Sequence, residues 1–137
     1  MSENICFTVM GKPVGKGRPR FSNAGGFTRT YTPAKTVEFE NLVRLEYQME
    51  GGTKMSGNIA VSISAYFPIP KSLSKKKRAE LQDMSYPKKP DVDNICKVVL
   101  DALNGIAYDD DSQVVAATVR KFYSDQPRTF ICMWEVE

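Results

Sequence analysis

The stretch KPDVDNICKVVLDALNGIAYDDDSQVV, residues 89–115, decides how the chain is read. Its apolar residues Ile95, Val98, Val99, Ala102, Leu103 and Ile106 recur at steps of three and four, which predicts a helix with one buried stripe. Gly105 supplies a C-terminal stop, and Gln113 to Tyr123 then reads as a strand. Both ends of the stretch are acidic, with Asp91 and Asp93 at the start and Asp109, Asp110 and Asp111 at the finish. Unit charges about 4 Å apart repel by roughly 4 kcal/mol at an effective dielectric of about 20. If the two ends meet in space, a divalent cation is the obvious offset.

Upstream, Tyr86 to Pro90 is an extended approach, because a residue before proline is steered away from the helical region. Ser72 to Gln82 predicts a short basic helix capped by Ser72 or Ser74, and its run Lys75 to Arg78 reads first as a solvated face. Asn58 to Phe67 alternates with period two and predicts a strand. Thr32 and Pro33 form an N-cap and first-turn pair for a helix to Met49, with Val37, Phe39, Leu42, Val43, Leu45 and Tyr47 as its apolar set. Ile5 to Met10 reads as the first strand. Downstream, Ser124 to Pro127 is turn chemistry before a last strand from Thr129 to Val136. No repeat or linker divides the 137 residues, so residues 1–137 are expected to form one domain.

Composition narrows the chemistry. The chain is 42% hydrophobic and 26% charged, as in a soluble globular protein, with no apolar run long enough for a membrane span. Without a secretory signal pattern, a cytoplasmic protein is expected. There is no histidine, which removes Ser-His-Asp and Cys-His catalysis and His-ligated zinc. Cys6, Cys96 and Cys132 are widely spaced and odd in number, so reduced, mostly buried thiols are expected.

The net charge of +3 says less than its distribution. From Gly11 to Lys35 the charges are Lys12, Lys16, Arg18, Arg20, Arg29 and Lys35, with no acid and with Phe21, Phe27 and Tyr31 interleaved. A basic loop carrying aromatics suits a nucleic acid, with its phosphates and stackable bases. The bland alternative is a solvated loop whose aromatics cap the core. The GKPVGKG segment is not a P-loop, since its spacing is short and Gly17 stands where Ser or Thr should be.

Taken singly, the acids favour structural roles: Asp91 or Asp93 as an N-cap, Lys97 as an i,i+4 partner of Asp93 or Asp101, and the aspartate triplet as a polar turn. Taken together, two carboxylates at a helix start and more before a strand suit a magnesium or manganese site of oxygen ligands. The EF-hand pattern fails, because its glycine position holds Cys96 or Val114. A bound ion could activate water and neutralise phosphoryl charge, with Lys97 as a fixed cation beside it. The residues thus point to a metal-dependent phosphodiesterase acting on nucleic acid. A non-catalytic DNA-binding protein with a structural ion, and a protein whose acids only cap and pair, are the alternatives.

PDVDNICKVVLDALNG followed by DDSQVV resembles the signature of the RusA-type Holliday-junction resolvases, and GKPVGKGRPR and TYTPAKT are similar to members of that family. The resemblance implies a two-layer α+β subunit, a mixed sheet with helices packed on it, forming a homodimer. It implies binding of four-way branched DNA and symmetric cleavage with Mg2+, for which Mn2+ would substitute. Asp91, Asp93 and Asp111 fall on the family's catalytic acids and Lys97 on its lysine, with Asp110 as the acidic neighbour at the metal. Asp109 is an extra acid, and Asp101 is expected to pair with Lys97 or solvent. Lys12, Lys16, Arg18, Arg20, Arg29, Lys88 and Lys89 are the expected DNA contacts, and Tyr86 is a candidate for stacking on an unpaired base. A less selective nuclease for branched DNA is the nearest alternative.

Overall fold

The computed structural model describes residues 4–18, 20–26 and 28–137, and of Arg20, Ala24 and Arg29 only the backbone. Phe27 and the side chains of Arg20 and Arg29 therefore lie outside the described residues. The strands are β1 (Asn4–Met10), β2 (Arg20–Ser22), β3 (Arg29–Tyr31), β4 (Asn58–Pro68), β5 (Val114–Ser124) and β6 (Arg128–Val136). The helices are α1 (Ala34–Met49), α2 (Lys75–Leu81) and α3 (Val92–Leu103). None of the described helices is long and apolar enough to cross a membrane.

The fold is α+β. Four strands form a mixed sheet in the order β1-β6-β4-β5, with β1–β6 and β6–β4 antiparallel and β4–β5 parallel. Alternation of β4 puts Ile59, Val61, Ile63, Ala65 and Phe67 on the buried face. Parallel neighbours need a long crossover, and α3 lies in the connection from β4 to β5, packed on β5 and on α1. The predicted stripe of α3 holds: Ile95, Val98, Val99, Ala102 and Leu103 are all buried. Full burial of such a side chain contributes about 1.5–3 kcal/mol, so the start of α3 projects from a well-anchored helix.

Other elements depart from expectation in local ways. Residues 20–31, read as loop, contain the β2–β3 hairpin, with Phe21 opposite Thr30. Pro33, not Thr32, occupies the N-cap position of α1, and no side chain caps it. Only one i,i+4 row of α1 faces the core, namely Phe39, Val43 and Tyr47 with Thr36 beside Phe39, so Val37, Leu42 and Leu45 stay exposed. Ser74 is the cap of α2, its hydroxyl accepting from the Lys77 amide at 3.3 Å.

The expectation of three thiols is corrected. Cys6 and Cys132 stand opposite each other on β1 and β6, with Cα atoms 4.1 Å apart, and are joined as a disulfide. Their sequence separation of 126 residues is why no local spacing signals the pair. Cys96 is free and half-buried.

Candidate active site and nucleic-acid groove

Asp91 is the N-cap residue of α3 with extended backbone, but its carboxylate makes no capping bond. Asp93 follows in the first turn, and both are exposed. Acids at a helix start are favoured by the helix dipole, typically by about 0.3–1 kcal/mol each. Lys97 lies one turn further on, also exposed.

From Leu103 the chain returns through a turn built on Gly105, whose φ of 77° is a left-handed conformation suited to glycine. The Gly105 amide donates to the Tyr108 carbonyl at 2.8 Å, and the buried Tyr108 hydroxyl donates to the Leu100 carbonyl at 2.5 Å. This holds the next segment, the 3-10 turn Asp111–Gln113, against α3. The strand expected from Gln113 accordingly begins at Val114. Burial, followed by the charge of Asp111, raises the pKa of the Tyr108 hydroxyl. Burial and then Asp93 raise that of the Cys96 thiol.

The six aspartates between positions 91 and 111 divide into two groups. Asp101 pairs with Lys16 at 3.2 Å, not with Lys97 or solvent as expected. Asp109 pairs with Lys54 at 2.9 Å. Asp110 caps the 3-10 turn, accepting from the Ser112 amide at 3.2 Å, while Gln113 Oε1 accepts from the amides of Asp109 and Asp110. The hydrogen bonds from Ser112 hold the Asp110 carboxyl below its ordinary pKa. Asp91, Asp93 and Asp111 have no hydrogen-bonded or ion-paired side-chain partner among the described residues. Neither does Lys97.

Those three carboxylates do not form a closed cage. Among the described residues no three Asp, Glu or Cys side chains are gathered closely enough to hold a metal ion. The donor chemistry nonetheless fits magnesium, a hard cation that takes carboxylate oxygens and usually needs only one or two of them beside its waters.

The basic loop docks on the start of α3. The Lys16 amide donates to the Asn94 carbonyl at 2.9 Å. Gly15 passes so close that a Cβ there would lie 2.6 Å from Pro90 Cβ. The Lys16 ammonium reaches Glu40 at 2.9 Å as well as Asp101. Of the expected DNA contacts, Lys16 is thus already engaged by two carboxylates. Lys12 and Lys89, together with Lys35 and the ion-paired Lys16, line a 570 Å³ groove that also includes Pro13, Val14, Gly15, Pro90, Asn94 and Asp91. Arg18 and Lys88 are exposed, with Arg18 on an adjoining 360 Å³ depression that shares Lys35.

Tyr86, the candidate for base stacking, is used in packing. Its ring stacks on Phe67 at 4.1 Å and meets Tyr123 edge-on at 4.9 Å. Sequence reasoning also missed Lys121, whose ammonium donates to the carbonyls of Lys88 at 2.7 Å and Pro90 at 3.0 Å. The available signal was a lysine in phase with Val119 and Tyr123 in the β5 alternation. Gly15 gave no signal of its closeness to Pro90, since that contact joins distant segments.

Residues 10–133 match the family model described as Endodeoxyribonuclease RusA. A relative from Bacillus subtilis (strain 168), described as uncharacterized protein YqaN, is 44% identical over 137 residues, covering 96% of each chain.

Proposed function

The chain belongs to the RusA endodeoxyribonuclease family, and from that premise we propose that it is a metal-dependent endonuclease resolving four-way DNA junctions by paired cuts. The observation that carries the site assignment is the division of the aspartates. Asp101, Asp109 and Asp110 are engaged within the protein, whereas Asp91, Asp93 and Asp111 are left with free oxygens. Beyond the helix-dipole contribution of about 0.3–1 kcal/mol at Asp91 and Asp93, these carboxylates, two exposed and that of Asp111 half-buried, stabilise no partner within the protein, so their value lies in what they bind.

In this reading Asp91, Asp93 and Asp111 are the carboxylates from which a magnesium or manganese ion would draw one or two ligands beside its waters, with Asp110 fixing the turn that presents Asp111. The ion, when bound, supplies Lewis acidity toward a phosphoryl oxygen and an acidified water. Lys97 brings a fixed cation to the phosphate, where charge develops during cleavage. Lys12, Lys35 and Lys89 hold the strand beside Asp91 through its phosphates. With no histidine in the chain, proton transfer falls to carboxylates, lysine and water. Two copies related by a two-fold axis would place two such sites on opposing strands, as paired incision requires.

The test is a substrate panel of mobile four-way junction, flap and plain duplex, each with and without Mg2+. Paired symmetric cuts confined to the junction and dependent on metal are expected. Equal cutting of all three would replace the proposal with a less selective nuclease, and metal-independent binding without cutting would refute catalysis.

A further inference from the structure

We infer that Lys121 is a positioning residue that fixes the loop delivering Asp91 to the candidate site, an inference that rests on the nuclease reading of Asp91. Lys121 pairs in register with Ala65, placing it in phase with Val119 and Tyr123 on the core-facing side of β5. Its neighbour Arg120 is exposed, so β5 already presents a cation to solvent at the adjacent position. Lys121 is half-buried and has no carboxylate partner among the described residues.

Its ammonium has three donors, and two of them go to the Lys88 carbonyl at 2.7 Å and the Pro90 carbonyl at 3.0 Å. The same nitrogen lies 5.8 Å from the centre of the Tyr86 ring, within range of a cation–π attraction. The backbone adds a further tie, since the Tyr86 amide donates to the Lys121 carbonyl at 3.1 Å. All these contacts hold one segment, residues 86–90, which ends at the N-cap Asp91. Gly15 closes against Pro90 separately, with only a hydrogen's space between them. Pro90 is thereby held from two elements, immediately before Asp91.

A lysine that merely snorkelled to solvent would leave its donors to water. Here a charged donor is committed to two carbonyls flanking a single residue, and charge-assisted hydrogen bonds are about twice as strong as neutral ones. Residues that orient metal ligands in this way typically change metal affinity or activity by about 10–100-fold when removed.

The test compares wild type, Lys121→Met, which keeps the stem and removes the donors, and Lys121→Arg, which keeps a donor. Two readouts are taken: junction cleavage in Mg2+, resolved into kcat and KM, and amide hydrogen exchange. Lys121→Met is expected to lower kcat by about 10–100-fold, with KM unchanged and Lys121→Arg restoring most of the rate. Exchange should accelerate at Asn94 and Ile95, whose amides donate to the Asp91 carbonyl at 3.1 and 3.2 Å, and stay unchanged in α1. Wild-type kcat and exchange in Lys121→Met would overturn the inference while leaving the nuclease reading intact. A uniform rise in exchange through α1 and α3 would also overturn it, by showing a purely structural lysine. Faster exchange at Asn94 and Ile95 in a protein that cuts no DNA would uphold the clamp and refute the nuclease reading.

Discussion

Lys16→Met separates a structural role for this lysine from a DNA-contacting one. The substitution keeps the stem but removes an ammonium 2.9 Å from Glu40 and 3.2 Å from Asp101, bonds that tie the basic loop to α1 and α3. The three side chains are 20%, 12% and 28% exposed, so the cluster lies between a surface pair and a buried one. Exposed pairs contribute about 0–1 kcal/mol, and removing one partner of a buried pair costs about 3–5 kcal/mol. Without the cation, two carboxylates no more than about 6 Å apart repel by roughly 3 kcal/mol at an effective dielectric of about 20. An overall loss of about 2–3 kcal/mol follows from this position between the two limits, which at about 4 °C per kcal/mol lowers Tm by about 8–12 °C. Adding Asp101→Asn removes the repulsion and should recover part of the loss, a coupling that a double-mutant cycle measures. Burial pulls the Lys16 pKa down, and its hydrogen bonds to Glu40 and Asp101 raise it by more, leaving it above the ordinary lysine value. The stabilisation is therefore complete below the unfolded value of about 10.4 and is lost as pH rises through the higher folded one. Thermal melts of both proteins should converge at that alkaline end. A Tm within error of wild type, together with a reduced salt dependence of DNA binding, would refute the structural assignment.

The groove makes the complementary prediction. Replacing Lys12, Lys35 or Lys89 by alanine should weaken junction binding across sequences and lower the salt slope by about 1 for each phosphate no longer neutralised, while Lys16→Met leaves the slope unchanged. Unaltered slopes in all three groove variants would mean that DNA passes elsewhere. Tyr86→Leu should destabilise by about 1–2 kcal/mol through loss of its ring contacts with Phe67 and Tyr123, with junction affinity preserved. A loss of affinity at unchanged stability would instead return Tyr86 to base stacking.

What the sequence reveals depends on the range of the interaction. The α3 stripe from Ile95 to Leu103 and the alternation in β4 are set by local periodicity, and both faces are buried as expected. The candidate acids are legible because Asp91, Asp93 and Lys97 share one helix, and the family resemblance singles out Asp111. Pairings between distant segments leave no such trace. Lys16 meets Glu40 and Asp101 on two different helices, and Cys6 meets Cys132 across nearly the whole chain. Lys121 acts on residues about thirty positions earlier because β5 lies beside the start of α3. The glycines and prolines of the basic loop mask the short hairpin, whose two strands are only three residues each. Tyr86 misleads because an aromatic beside lysines reads equally as a base platform or as the edge of a core.

The central claim is that the partner-free aspartates serve the chemistry and the partnered ones serve the fold. Its most direct measurement is the rate of junction cleavage in Mg2+, alongside Tm, for Asp→Asn at each of positions 91, 93, 101, 109, 110 and 111. The account predicts that Asp91→Asn, Asp93→Asn and Asp111→Asn each lower the rate by about 10²–10³-fold or more, with Tm lowered by no more than about 4 °C, the helix-dipole share of an acid in the first turn. Asp101→Asn and Asp109→Asn should cut at close to the wild-type rate, with Asp101→Asn losing stability through Lys16. Full activity in Asp91→Asn, Asp93→Asn and Asp111→Asn, or a rate collapse confined to Asp101→Asn and Asp109→Asn, would contradict it.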